Sequence, residues 1–307
     1  MTIEELIYFC LIKVPEIQNW LAKYDKKPAV FLQRAPDDTA PEWGKKQYPR
    51  MEYLVDMSAD PERHSSGVVT VHIYSDESGK PPEEIAPAVR NALCDILMKA
   101  DRVYCITWAK TELFEIESVQ SANTLVNGCT ITFLLIAFPA QITGMPDPAL
   151  AVNLFIKKCV PECYVIGMDD MDDIYEPSDE HPAIFVRIPS YEKDHESYAL
   201  IWINCIIAIH VVALSTEGRM NWVRHLHDCF FRAGEVIMAD NSPMFLKTIK
   251  VDNQSDYLTR GQIAMRGLYT MPALRPDTCG VGIPLNHAII NEETKNGRKR
   301  KSFFVCR

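Results

Sequence analysis

Four carboxylates crowd the stretch Gly167-Met168-Asp169-Asp170-Met171-Asp172-Asp173, and paired carboxylates of this kind can hold Mg or Ca. The run lacks the Asp-x-Asp-x-Asp-Gly spacing and the distal Glu of a calcium loop. It therefore reads as a solvated acidic loop over residues 169–180, one that repels DNA or meets a basic partner. His225 and His227 lie on a helical run with Asp228 beside them, but positions i and i+2 diverge on a helix and chelate poorly together. His72 and His210 fall on β-prone runs and read as satisfied core or interface residues. Cys159 and Cys163 are four apart and could face each other on a helix, yet no second ligand pair follows at zinc spacing. Gly280-Val281-Gly282 is not followed by a helix pattern, and neither His-Glu-x-x-His nor Gly-x-Ser-x-Gly occurs. The expectation is a protein without catalytic, cofactor-binding or metal-binding residues, and so no enzyme and no cofactor. The competing reading is a small-molecule enzyme or metal-dependent hydrolase using the aspartate loop and the histidines, which would lose function on Asp170→Asn or His225→Ala without losing assembly.

The elements that would position these groups fall into two runs. The chain has 307 residues, 47% hydrophobic and 24% charged, with a formal charge of -9. That length suits two domains of roughly 150 residues. An acidic chain is a poor candidate for gripping phosphates over its whole surface, although it would let DNA slide past. Many of the 10 cysteines sit in apolar or amphipathic runs and read as buried free thiols, which favours a reducing cytoplasm. The acidic start Met1-Thr2-Ile3-Glu4-Glu5 lacks the basic opening of a secretion signal. No apolar run approaches the ~20 residues of a membrane span, so no membrane partner is expected.

In the first run, residues 3–20 form an amphipathic helix broken at Pro15, and Val30-Phe31-Leu32 a short strand in a long loop. Residues 48–56 and 68–74 then alternate as two antiparallel strands. Pro81-Pro82-Glu83-Glu84 opens a helix that carries Ile85, Val89, Ala92, Leu93, Ile96 and Leu97 at helical spacing. Residues 113–119 and 127–138 give two more strands, the latter after an Asn127-Gly128 turn. Residues 140–148, with Gly144, Pro146 and Pro148, are the linker.

The second run repeats the order. Residues 150–158 are helical and end in Val160-Pro161-Glu162, as the first helix ends in Val14-Pro15-Glu16. His181-Pro182 opens a strand over 184–188, residues 199–213 form a strand with His210 where the first half has His72, and Val223, Leu226, Phe230, Ala233 and Ile237 mark a helix. Residues 246–252 and 262–271 are the last strands. Leu258, Gly261, Leu268 and Pro272 follow Leu125, Gly128, Leu135 and Pro139 at one constant offset. This shared order predicts an internal duplication. The fold class is α+β, with two tandem similar domains, 1–144 and 145–272, each a small mostly antiparallel sheet with helices packed on one face. Residues 273–307 form an irregular basic extension that carries Gly297-Arg298-Lys299-Arg300-Lys301.

The stretch Tyr48-Pro49-Arg50-Met51-Glu52-Tyr53-Leu54-Val55-Asp56-Met57 resembles phage tail terminator (tail completion) proteins. The resemblance continues through Val69-Thr70-Val71-His72-Ile73-Tyr74, the helix over 84–98, Phe114-Glu115-Ile116-Glu117, Gly234-Glu235-Val236-Ile237-Met238 and Ser242-Pro243-Met244-Phe245. It implies a small α+β domain in a ring, usually of six, that caps the tail tube and faces the head connector. It brings no enzymatic residues. Double length implies either a trimer with pseudo-six-fold symmetry or a hexamer of full chains. The implied partners are the tail tube protein, with sheath and neck or connector proteins beside it, and DNA passing through the lumen without specific binding. The implied location is the virion tail, assembled in the bacterial host cytoplasm. Another tail, neck or connector structural protein is the alternative.

Overall fold

The computed structural model describes residues 1–57, 65–117, 125–139, 146–252, 258, 260–273, 290–295 and 298–303. It is a mixed α+β protein with two large sheets. Pro15 splits the N-terminal helical run into α1 (Ile3–Lys13) and α2 (Pro15–Trp20), and Thr2 and Glu5 cap α1 reciprocally. The long loop holds β1 (Lys23–Tyr24), β2 (Lys27–Pro28) and β3 (Val30–Leu32), folded over Ala22, Ala29 and Trp43. Then come β4 (Arg50–Met57), β5 (Gly67–Asp76), α3 (Pro82–Leu93), β6 (Leu97–Lys99), β7 (Val103–Glu117) and β8 (Leu125–Phe138).

Two boundaries differ from the sequence reading. The helix stops at Leu93, because Asp95 turns to a φ of 59° and donates its N–H to Ile106; Ile96 falls outside the helix and Leu97 opens β6. Asn127-Gly128 is no turn. Both residues lie inside β8, opposite Glu115 and Phe114 of β7. Gly128 is needed there because the Phe114 ring covers it: a Cβ would lie 2.2 Å from that ring. β7 itself starts ten residues earlier than the sequence reading, taking in Val103-Tyr104-Cys105-Ile106, and bulges between Trp108 and Lys110.

The second run is α4 (Pro148–Cys159), β9 (Tyr164–Val165), β10 (Ile174–Tyr175), β11 (Ala183–Glu196), β12 (Leu200–Val212), α5 (Thr216–Ala233), β13 (Glu235–Ile237), β14 (Pro243–Val251) and β15 (Ile263–Pro272). α5 ends at Gly234, whose φ of 67° suits a residue without Cβ, so Ile237 belongs to β13 rather than to the helix. The first sheet runs β10-β6-β7-β8-β5-β4-β3 and the second β13-β14-β15-β12-β11-β9, so the strands of the first run, β6-β7-β8-β5-β4-β3, can be set against those of the second. Strand for strand these are the same order. Each has one parallel pair at one edge, β3 with β4 and β9 with β11, and is otherwise antiparallel.

The constant offset from Gly128 to Gly261 fails by one position. Val71 pairs with Ile131 and Ile209 pairs with Ile263. Matching the residues before His72 and His210 therefore sets Ile131 against Ile263. The one-residue difference decides which face is buried: Cys129, Ile131, Phe133 and Leu135 enter the first core, and Ile263 and Met265 enter the second.

One core joins α1, α2 and α3 residues such as Leu6, Ile7, Ile17, Ile85 and Leu93 to Met51, Val69, Val71, Ile73 and Phe133. A second joins Val152, Ile156, Leu226 and Phe230 to Ile184, Ile207, Ile209 and Met265. Each fully buried Leu, Ile or Phe is worth about 1.5–3 kcal/mol. A third cluster lies between the two sheets and takes Leu97, Cys105, Ile136 and Phe138 from one run and Tyr164, Ile166, Phe185 and Val212 from the other. Within the C-terminal extension, expected to be irregular, β16 (Ile290–Lys295) and β17 (Arg298–Phe303) pair antiparallel, with Glu292 and Glu293 opposite Lys301 and Arg300. Gly297 lies outside the described residues.

Candidate functional site

The most chemically equipped recess lies where the two sheets meet, a cleft of about 480 Å³ lined by Ser66, Phe138, Phe185, Arg187, His210 and Leu258 among others. β11 supplies Arg187 and β12 supplies His210, because Phe185 and His210 are paired residues of the ladder. His210 is 1% exposed. Its ring packs against Phe138 and Phe185, at 6.1 and 5.6 Å between centroids. Arg187 Nε donates to His210 Nε2 at 3.0 Å. This bond fixes the imidazole tautomer with its proton on Nδ1 and occupies the lone pair that a base would use. Burial lowers the Arg187 pKa from its ordinary value. The Ser66 hydroxyl accepts from the Ala137 N–H at 3.2 Å. The arrangement presents a cationic guanidinium in an aromatic wall. His210 is the satisfied interface histidine that its sequence context suggested.

His72 occupies the matching position of the first sheet. Its Nδ1 is 2.9 Å from Thr130 Oγ1, its ring packs with Tyr74 and Phe114, and burial lowers its pKa.

The aspartates do not gather. Asp169 accepts from the Val165 N–H and pairs with Lys157 at 2.8 Å, while Asp170, Asp172 and Asp173 are exposed. Among the described residues no group of three or more His, Cys, Asp or Glu is placed to hold a metal ion.

The stretch is more than a solvated loop. β10 adds to the far edge of β6 with Ile174 opposite Met98, so the first sheet gains a strand from the second run. Lys99 donates its N–H to the Asp173 carbonyl, Lys13 pairs with Glu176 at 2.5 Å, and Met171 is buried. The acidic residues are the solvent side of a strap between the two sheets. Periodicity could not show this, because two paired residues carry no pattern.

The strap ends at Asp179. Its carboxylate accepts from the Ser215 N–H at 2.8 Å and from the Ser215 hydroxyl at 2.6 Å, and the Ser215 side chain caps α5 through the Gly218 N–H. The Ser215 hydroxyl bond, then the backbone bond, hold the Asp179 carboxyl below its usual pKa. A depressed folded value stabilises above the unfolded carboxylate pKa, about 3.9, and that stability is lost as pH falls through the folded value. The Asp179→Asn protein should therefore show a shallower loss of stability on acidification than wild type. Ser215→Ala should cost about 1 kcal/mol at neutral pH. Urea titrations from pH 3 to pH 7 check both; parallel curves for Asp179→Asn and wild type would remove the linkage.

His225 and His227 diverge on α5 as expected. His225 packs against Trp222, and its Nε2 is 3.7 Å from Cys229 Sγ; His227 stacks on Phe231 and contacts Asp228 at 3.2 Å. Cys159 and Cys163 share no helix, since α4 ends at Cys159. The eight described cysteines are free thiols. Gly280-Val281-Gly282 lies outside the described residues. No described helix is long and apolar enough to cross a membrane. The chain matches no protein-family model and no curated protein.

Proposed function

We propose that the chain is a structural protein of a phage or phage-like tail, the terminator ring that caps the tail tube and joins it to the head or neck. In this reading its two runs are copies of one module, a small sheet with helices on one face. The observation that carries it is the shared strand order of the two sheets together with the edges that both leave open.

β11 has a strand neighbour on its outer side only at Ala183 and Ile184, and β4 only at Met51, Glu52 and Tyr53. β7 is covered by β6 only over Val103, Tyr104 and Cys105, and β14 by β13 only over Pro243, Met244 and Phe245. Among the described residues the remaining lengths of these edges carry no strand partner. Unpaired backbone edges are templates for another chain. They come here with exposed apolar and aromatic side chains: Leu113 of β7 is 60% exposed and Tyr191 of β11 75%. Opposite edges of one sheet make head-to-tail contacts, which close into rings when the rotation allows. Two such modules per chain would let three chains complete a pseudo-six-fold ring. An acidic chain lining a lumen would not hold DNA.

Light scattering coupled to size exclusion, followed by negative-stain imaging, tests the reading. The expected result is a trimeric or hexameric ring with a central hole, and tails of uncontrolled length when the gene is removed. A protein that remains a monomer at every concentration would overturn it.

A further inference from the structure

The helices of the two runs carry opposite charge. Those of the first run, α1, α2 and α3, hold Glu4, Glu5, Glu16, Glu83 and Glu84 against Lys13 and Arg90. Those of the second, α4 and α5, hold Lys157, Lys158, Arg219, Arg224 and Arg232 against Glu217 and Asp228. A basic helical layer stands out in a chain of formal charge -9.

α5 buries Val223, Leu226 and Phe230 on its sheet. The next stripe round the helix, Met220, Arg224, His227 and Phe231, recurs one turn at a time and shares one face. Phe231 is 71% exposed, and Met220, Arg224 and Arg232 are exposed too. The His227 ring stacks on Phe231 with centroids 5.8 Å apart and so holds it in place. Exposed aromatic and arginine side chains in one patch are the groups that anchor protein interfaces.

The complement lies where α1 meets the strap at the edge of the first sheet. An open groove of about 740 Å³ is lined by Phe9, Lys99, Met171, Asp172, Asp173 and Ile174 among others. Phe9 is 46% exposed and, with Met171 and Ile174, supplies apolar surface, while Asp172 and Asp173 are exposed. The Lys99 ammonium is tied to the Met171 carbonyl at 3.2 Å. The ion pairs of the described residues involve none of Arg224, Arg232, Asp172 and Asp173.

We propose that the α5 face of one molecule docks in this groove of a second copy, with Phe231 entering beside Phe9 and with Arg224 and Arg232 meeting Asp172 and Asp173. A second copy is the occupant because each chain carries both complementary surfaces, and because Phe231 and Phe9 both stay exposed within the single chain. Two different surfaces of one chain make a head-to-tail contact, so every molecule offers an α5 face and a groove to its neighbours. The contact presupposes the self-association proposed above and names the surfaces that make it. The opposite charges fix its register, and the aromatic pair supplies adhesion.

Light scattering over a concentration series of the full chain tests the contact. Arg224→Glu with Arg232→Glu should raise the dissociation constant by about a hundredfold, and so should Asp172→Lys with Asp173→Lys, because each sets like charges face to face. All four changes in one chain should bring it back to within about tenfold of wild type, a recovery that misfolding cannot produce. Phe231→Ala should weaken assembly by about tenfold. All five side chains are exposed, and circular dichroism melts check that the variants stay folded. An unchanged dissociation constant in both double variants, or no recovery in the fourfold variant, would overturn the contact and leave the α5 face to a foreign partner, with the ring reading intact. A wild-type chain that stays monomeric at every concentration would overturn both.

Discussion

Arg50→Ala is expected to destabilise the protein by about 3 kcal/mol. The side chain is 15% exposed and sits where the loop over residues 33–49 closes on the first sheet. It pairs with Asp38 from that loop, and its guanidinium lies 4.7 Å from the Tyr48 ring centroid, 5.7 Å from Tyr74 and 5.9 Å from Trp43. Glu52, itself 13% exposed in its side chain, is 3.9 Å from Arg50 Nε and holds the loop through the Ala35 N–H. Removing the guanidinium leaves the largely buried Glu52 carboxylate without its counter-charge and cuts the tie between Asp38 and β4. A partly buried charge left without its counter-charge costs several kcal/mol, whereas an exposed pair is worth at most about 1 kcal/mol. Arg50→Lys should recover the charge but little of the stacking, since a compact ammonium does not spread across several rings. Urea midpoints for wild type, Arg50→Lys and Arg50→Ala should fall in that order. A loss under about 1 kcal/mol for Arg50→Ala would show that solvent screens the cluster.

The alternation of Val69, Val71 and Ile73 with polar neighbours made β5 legible in the sequence, and the 3.6 spacing of Ile85, Val89 and Ala92 did the same for α3. Those signals are local, so the order of elements in each run could be read without knowing what packs on what. Four features escaped because their cause is not local. Gly128 reads as a turn until Phe114 is placed above it from a strand more than ten residues away. Gln262 looks like an ordinary polar strand residue. Its side-chain amide in fact takes the place of a ladder rung, accepting from the Val211 N–H at 2.9 Å and donating to the Val211 carbonyl at 3.0 Å. The sequence marked His210 as satisfied, but its partner Arg187 needs the second strand of a hairpin, and its ring partner Phe138 the opposing sheet, before either can be named. The two-residue strand β10 is the extreme case: its partner belongs to the other run of the chain, and no window of sequence contains both.

That crossing of chain between the two sheets bears on how the protein unfolds. Phe185 is 4% exposed and its ring meets Phe138 of the first run at 4.8 Å. Both belong to the cluster between the sheets, with Leu97, Ile136, Tyr164, Ile166 and Val212. Phe185→Ala is expected to cost about 3–5 kcal/mol, the usual range for emptying a buried aromatic position. A double-mutant cycle with Phe138→Ala should return a coupling of about 0.5–1.5 kcal/mol for the ring pair. The thermogram should change shape as well as position. Each sheet keeps its own core of Ile, Val, Leu and Phe residues, so the halves remain able to fold when the contact between them is weakened. Wild type should unfold in one calorimetric transition and Phe185→Ala in two, because cooperativity between the halves resides in this cluster and the β10 strap, while the stability of each half resides in its own sheet. A single transition in Phe185→Ala, with a loss under about 1 kcal/mol, would mean that the strap alone couples the halves. Pairing Tyr175→Pro with Phe185→Ala would then be the variant that separates them, since the bond from the Lys99 N–H to the Asp173 carbonyl makes Tyr175, opposite Leu97, the hydrogen-bonded residue of β10, and proline removes its donor.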